Sequence, residues 1–487
     1  MKKHWELAFK SAWDLRKLII NKVISPVELV EDALSRLHDL NPKLNAFLEV
    51  TFEEAIKKAK KTEKDIVKGK KVGLLAGIPT SIKDHISTAG TKTTFGSLIF
   101  KDYIPSKNHL IVDRLNDSGA ISIGKTNLPE FGMISSTENF LRKDCVNPWD
   151  TTRIAGGSSG GASSSVAAGI TPLAQGSDGG GSIRIPAAFC GNFGIKPTTG
   201  RIPTLEQKSL SYIPQLIFSA ISPVSRTVID SALFLQSVSG PHIDDPNCIQ
   251  NDMPNLINHI NEGIKDFKIG WSSDLGSAVV DTEVLNITQK AAASFENLGA
   301  NVENLSLNIN VNSLFKCFST LMYATLYHNM GDNWRDFGSQ MTSSLQMRFE
   351  YGSKVTANEL LLAINELENW KKEVGELFEN YDLVLTPSLS IPAFKCREWP
   401  TSINSIEVDP FEISQNAGFY HFSYPFNMSG NPAASIPCGF SSEGLPIGLQ
   451  IIGRMGDELS VLKASAAFEE VYPWASKYPP VSIKYIN

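Results

Sequence analysis

No two of the six cysteines in this 487-residue chain stand in C-x-x-C spacing. Cys145, Cys190, Cys248, Cys317, Cys396 and Cys438 are scattered, which indicates neither a disulfide framework nor a zinc knuckle. No apolar run approaches the ~18 residues that a membrane-spanning helix needs. The opening "MKKHWELAFKSAWDLRK" begins with two lysines, but Glu6, Lys10 and Asp14 interrupt any apolar stretch of the kind a signal peptide carries. Positive charge is not in excess either. Lys and Arg number 45 against 51 Asp and Glu, a net charge of −6, so no global basic field recruits nucleic acid. The local basic runs "KKAKKTEK" and "KGKK" are interleaved with other residues and read as a solvated helix face and its following loop. Internal repeats and low-complexity tracts are missing. These absences predict a reducing, cytoplasmic setting without a membrane or nucleic-acid partner.

What is present is the composition of a globular protein, 42% hydrophobic and 20% charged, at a length that buries a large core. Residues 10–65 read as helical. In "SPVELVEDALSRLHDL" Ser25 is an N-cap, Pro26 the first helical residue and Glu28 the end of a capping box. Leu29, Ala33, Leu37 and Leu40 then recur at helical spacing. Thr51 and Glu54 in "TFEEAIKKAKK" predict a second capped start. "LLAGIPTSIKDHI" reads as a strand ending near Lys83, and "HLIVDRLNDSGAISIGKTN" as a helix, a stop at Gly119 and a strand at 120–123. This alternation, which continues to about residue 200, predicts an α/β architecture with helices flanking a sheet. From about 225 to 420 the texture is more helical, broken by strand signals in "FKIGWSS" and "YDLVLTP". Strands "PAASIPCGF" and "LPIGLQIIG" and a helix "ELSVLKASAAFEEVY" close the chain. No stretch reads as a linker. The expectation is one domain over 1–487, with a helical N-terminal region 1–70, a core at about 71–225, an elaborated helical part at about 226–420, and C-terminal strands and helix at 421–487.

The chemistry concentrates in "IAGGSSGGASSS", residues 154–165, and "QGSDGGGSIR", which ends at Arg184. A phosphate cradle is not supported, because neither G-x-x-x-x-G-K-[ST] nor G-x-G-x-x-G occurs in this segment. A nucleophile elbow G-x-S-x-G fits Ser158 and Ser159 equally, which shows how cheap that pattern is. It also needs a preceding strand, and "NPWDTTRIA" is a poor one; His421 would be its only late histidine partner. A third reading joins these segments to Lys83. Lysine can serve as a base when burial lowers its pKa, and Lys83 ends an apolar strand. "GSDGGGS" offers consecutive unobstructed N–H groups before Ser182, as an oxyanion hole requires. Ser158 would then relay a proton between Ser182 and Lys83.

"GGSSGG", followed by "GSDGGGSIRIPAAFCGNFGIKPT" and preceded by "GIPTSIKD", resembles the amidase signature family. The resemblance extends through "GKTNLPEFGMISSTEN" and "NPWD" to "PAASIPCGF" and "GLPIGLQIIG", nearly the whole chain. It implies an α/β amidase-signature fold, with a large, mixed, mostly central β-sheet flanked by helices on both faces. It also implies a Ser–cisSer–Lys triad: Ser182 as nucleophile, Ser158 as the serine after a non-proline cis peptide, Lys83 as base. Gly179, Gly180, Gly181 and Ser182 match the oxyanion-hole backbone. Gly179 departs from the family's usual threonine or larger residue. Asp178 and Ser159 match loop supports. Arg184 is read mainly as a further support, with a substrate-contacting role as the alternative. His85 is expected to be a structural or pocket histidine.

The implied reaction is hydrolysis of a carboxylic amide through an acyl-enzyme, with no metal and no organic cofactor. Two further readings stay open: the glutaminase subunit of a tRNA-dependent amidotransferase, and a catalytically silent binding module. Against the glutaminase reading, the helix before "YDLVLTP" carries no arginine for a glutamine carboxylate, and "GFYHFSYPFNMSGN" carries no acid for its amine. The aromatic clusters "YATLYHNMGDNW" and "GFYHFSYPF" suggest an apolar pocket, with Met133, Ile134, Tyr327, His328 and Tyr420 as candidate walls. The expected partner is a small-molecule amide. No coiled-coil heptad or self-pairing strand appears, which leaves a homodimer open.

Overall fold

Two β-sheets and their connecting helices place every candidate residue. A computed structural model of the chain describes residues 5–204, 218–307, 309–409 and 418–486. The smaller sheet has three strands: β1 (Phe47–Val50) lies antiparallel to β3 (Ile121–Thr126), and β2 (Pro79–Lys83) runs parallel to β3 on its other side. The larger sheet has eight. Its strands are β4 (Leu173–Asp178), β5 (Phe193–Lys196), β6 (Ala220–Ser225), β7 (Lys268–Trp271), β8 (Asn301–Asn304) and β9 (Leu383–Pro387), with two more near the C-terminus. A small hairpin, β10 (Ser402–Ile403) with β11 (Ile406–Glu407), stands apart. The last two strands of the large sheet are β12 (Ala433–Phe440) and β13 (Pro446–Gly453), giving the order β4-β6-β5-β12-β13-β9-β7-β8. The β9–β7 and β7–β8 pairs are parallel and the rest antiparallel, so the sheet is mixed.

Burial on both faces explains why β9 is a continuous apolar run, since successive side chains point to opposite sides. Val384 packs with the apolar side chains of helices Val311–Met330 and Ala357–Asn380. Its neighbours Leu383 and Leu385 join a second cluster with helices Val228–Val238 and Glu458–Val471. The mixed α/β sheet flanked by helices therefore stands as expected. Strands from 71–225, from 226–420 and from 421–487 all enter it, so the middle part supplies β7, β8 and β9 as well as helices.

The N-terminal reading needs two corrections. Helices Ala12–Ile20, Pro26–Leu44 and Phe52–Val67 occupy 10–65, but β1 interrupts them after Asn45, which takes a left-handed conformation. Four residues carry too little periodicity to signal a strand; pairing with β3 makes it one. Ser25 caps its helix by accepting from the N–H groups of Val27 and Glu28. Thr51 does not cap; its hydroxyl donates to the Ser122 carbonyl across the sheet instead. Among the described residues no helix is long and apolar enough to cross a membrane.

Candidate active site

The C-terminal ends of β2 and β4 lie side by side. The N–H of Lys83 donates to the Gln175 side chain at 3.0 Å, pinning the end of β2 against β4. After Asp178 the chain turns through 179–183 into the helix Arg184–Cys190. Ser158 enters from the segment before helix Gly160–Ala167, and the peptide between Gly157 and Ser158 is cis. Lys83 Nζ lies 2.7 Å from Ser158 Oγ and 3.2 Å from Ser177 Oγ. Ser177 carries no motif signal of its own in the sequence beyond its position two residues before the glycine run.

Burial sets the state of this amine. Lys83 is 1% exposed, and desolvation pushes its pKa down to about 7 against the opposing pull of Asp178. A substantial fraction is therefore a free amine near neutral pH. Burial alone would raise the Asp178 carboxyl. The Arg184 guanidinium and the Asn427 amide outweigh it and hold that carboxyl well below the usual range.

Asp178 organises the turn that follows it. Its carboxylate accepts from the N–H groups of Gly181 at 2.7 Å, Ile183 at 3.2 Å and Arg184 at 3.3 Å. This corrects the expected oxyanion hole. The Gly181 N–H is committed to Asp178, whereas those of Gly179, Gly180 and Ser182 make no hydrogen bond among the described residues. Gly181 is needed for shape: its φ is +120°, and a Cβ there would lie 2.4 Å from Ser423 Oγ. Ser159 supports the same turn. Its N–H donates to the Ser182 carbonyl at 3.0 Å and its hydroxyl to the Ser177 carbonyl at 3.1 Å. Arg184 is not a pocket residue. It is 1% exposed and spends its donors on Asp178, Gln450, Asn427 and the Ser423 carbonyl.

A cavity of about 150 Å³ opens over these groups. Lys83, Ser158, Ser177, Gly179, Gly180 and Ser182 all line it. No hydrogen bond joins Ser158 to Ser182 among the described residues. Met133, Ile134 and Tyr420 line the cavity, together with Ile86, Ile185 and Ile221. Tyr327 and His328 do not line it. Tyr327 donates to Asp332 at 3.1 Å and His328 is exposed; from the same helix, Phe318, Met322 and Tyr323 line the cavity instead. The sequence pointed to the right helix about one turn too late, because a lone aromatic cluster does not reveal where the helix meets the glycine turn. His85, His109, Thr204 and Ser219 also line it, as do Gly132, Ser135 and Gly157, and among the described residues no Arg, Asp or Glu side chain belongs to it. Nor is any group of three or more His, Cys, Asp or Glu side chains among the described residues placed to hold a metal ion.

The model of the family described as Amidase matches residues 28–462. An acylamidase of Rhodococcus erythropolis is 33% identical, with 99% of this chain and 98% of that protein covered. A glutamyl-tRNA(Gln) amidotransferase subunit of a Cyanothece species is also 33% identical, over 96% of this chain and 98% of its own length. Among solved structures, a bacterial aryl acylamidase of the amidase signature family superposes with a TM-score of 0.90 at 30% identity, covering 97% of this chain and 98% of that one. Sequence match, shared fold and the paired serine–lysine turns agree over almost the full length: the chain belongs to the amidase family of C–N bond hydrolases.

Proposed function

We propose that this amidase hydrolyses uncharged carboxylic amides through an acyl-enzyme on Ser182. The observation that carries the reading is the 2.7 Å contact between the buried Lys83 amine and Ser158 Oγ beside Ser182 in one cavity. Neutral Lys83 accepts the Ser158 proton while Ser158 accepts that of Ser182. The Ser182 oxygen attacks the amide carbonyl carbon. The N–H groups of Gly179, Gly180 and Ser182 receive the developing oxyanion. The relay returns the proton to the departing nitrogen, which leaves as ammonia or amine. Water then attacks the ester by the same relay, releasing the carboxylate and restoring Ser182.

A stand-alone amidase is favoured over a glutaminase subunit by the cavity lining. Free glutamine presents a carboxylate and an ammonium, and the described wall offers no Arg, Asp or Glu to pair with either. Amidotransferase relatives of comparable identity make the comparison worth testing directly. The test is ammonia or amine release from a panel of aliphatic, aryl and oligomeric amides with free glutamine included. Turnover of neutral amides without glutamine is the expected result. Glutamine-only turnover would favour the amidotransferase role, and no turnover of any amide would favour a binding module.

A further inference from the structure

To hand a proton to the departing nitrogen, Ser158 Oγ must come within hydrogen-bond reach of it, about 2.6–3.2 Å. Whatever surrounds that oxygen therefore bounds the space around the nitrogen. Lys83 Nζ holds it from one side at 2.7 Å. On another side stands Gly132, half-buried and part of the cavity lining. A Cβ placed on Gly132 would be 3.3 Å from Ser158 Oγ and 3.7 Å from Ser158 Cβ. Outside the turn that carries Gly132, no other atom of the described residues lies within 4 Å of that point. Gly157 and Gly180 also line the cavity, but a Cβ on either would be 2.8 Å from the Ile134 carbonyl oxygen or from the Phe318 ring. Those glycines let the protein pack against itself, whereas Gly132 leaves open space beside the relay oxygen.

Backbone shape alone does not demand this glycine. Its φ is +71°, a region glycine enters freely, yet Phe131 before it holds φ +50° with a full side chain. The turn is also firmly held. Glu130 accepts from the Ser97 hydroxyl at 2.6 Å and from the N–H and hydroxyl of Thr342 at 2.7 and 2.9 Å. The Phe131 N–H donates to the Phe95 carbonyl at 2.8 Å. Met133 and Ile134, next along the chain, give the space apolar walls.

We infer that Gly132 is a specificity-determining residue that makes room for an apolar substituent on the scissile nitrogen, so that the protein takes N-alkyl amides as well as primary ones. After the Ser182 oxygen has bonded the carbonyl carbon, the C–N bond breaks, and the nitrogen takes the proton from Ser158 and leaves as a primary amine instead of ammonia. This inference rests on the amidase reading of the same cavity.

The test holds the acyl group constant, butyryl in one series and benzoyl in another, and compares kcat/KM for the primary, N-methyl and N-propyl amides. Wild-type protein is expected to hydrolyse the N-propyl amide within about tenfold of the primary amide. Gly132→Ala should lower that N-propyl-to-primary ratio about tenfold or more, since one methylene in a pocket shifts discrimination by about 10- to 200-fold. Backbone strain or a displaced Ser158 would slow both amides alike and leave the ratio unmoved. Gly132→Asn fills the same space with a side chain that tolerates the left-handed backbone, and should move the ratio in the same direction. A ratio unchanged in a folded variant, or a wild-type preference for the primary amide beyond that range, overturns the inference and leaves the amidase reading in place. If neither variant folds, the wild-type series decides. Absence of wild-type turnover of every amide overturns both.

Discussion

At the scale of single residues, the decisive group is an amine stripped of water. Lys83 can accept a proton only when neutral, and its pKa near 7 places that change within the working range. Below about pH 7 the ammonium form dominates and activity should fall; above it activity should reach a plateau. A kcat/KM profile rising with a midpoint near 7 is the expected outcome. Lys83→Arg keeps a cation that cannot deprotonate, so it should lose turnover by about a thousandfold or more, as should Ser182→Ala. Unchanged circular dichroism spectra would separate both losses from misfolding. Lys83, Ser158 and Ser182 were legible in linear motifs because each stands in a short glycine-rich or strand-ending context. The allotment of N–H groups was not legible. Whether Gly181 serves an oxyanion or Asp178 depends on how the turn closes over the carboxylate.

At the scale of elements, the glycine turn and the helix Val311–Met330 leave each other no spare room. A Cβ on Gly180 would sit 2.8 Å from the Phe318 ring. Gly180→Ala must push either the ring or the N–H groups of the turn, and displaced oxyanion donors cost about 10²- to 10³-fold in kcat. The expected result is a loss of that order, partly recovered in Gly180→Ala with Phe318→Ala; steady-state kinetics on the two variants would check it. Behind the turn, Asp178 and Arg184 form a buried ion pair at 3.0 Å. Asp178→Asn leaves the guanidinium uncompensated, a change that typically costs about 3 kcal/mol or more. A clear fall in thermal unfolding temperature, together with loss of activity, is expected.

At the scale of the whole molecule, two buried lysines tie stability to pH. Lys196, on β5, is pushed down to about 7 by burial and by the nearby Arg184, as Lys83 is by burial. In the unfolded chain both return to about 10.4. Between the folded and unfolded values the unfolded state binds more protons, so stability rises with pH. Glu469, pushed up to about 8 by burial, opposes this below that pH, and the thiols of Cys145, Cys190, Cys317, Cys396 and Cys438, raised by burial above an unfolded value of about 8.5, oppose it from about pH 8 upward. The lysine contribution is therefore read as a difference between wild type and a variant that lacks one of these amines. Lys196→Met, which removes one of the two titrating amines, should make the slope of unfolding temperature against pH less positive than in wild type between about pH 8 and 9; an unchanged slope in calorimetry would count against the assignment.

Helix starts such as Ser25-Pro26, the apolar run of β9 and the ordered glycine–serine motifs can be read from neighbours along the chain. Propensity, capping and alternation are local, and they were enough to name the α/β class; the ordered motifs carried the family resemblance and the three side chains proposed to react. β1, the failed cap at Thr51, the commitment of the Gly181 N–H and the move from Tyr327 to Phe318 in the cavity wall could not be read that way. Three depend on a partner tens to hundreds of residues distant, Thr126 for Phe47, Ser122 for Thr51 and Gly180 for Phe318; the Gly181 N–H bonds a carboxylate only three residues back, in a turn packed against the distant Ser423. Arg184 makes the same point. The motif reads it mainly as a support of the turn, and only the fold, by surrounding it with Asp178, Asn427 and Gln450, removes the alternative of a substrate contact.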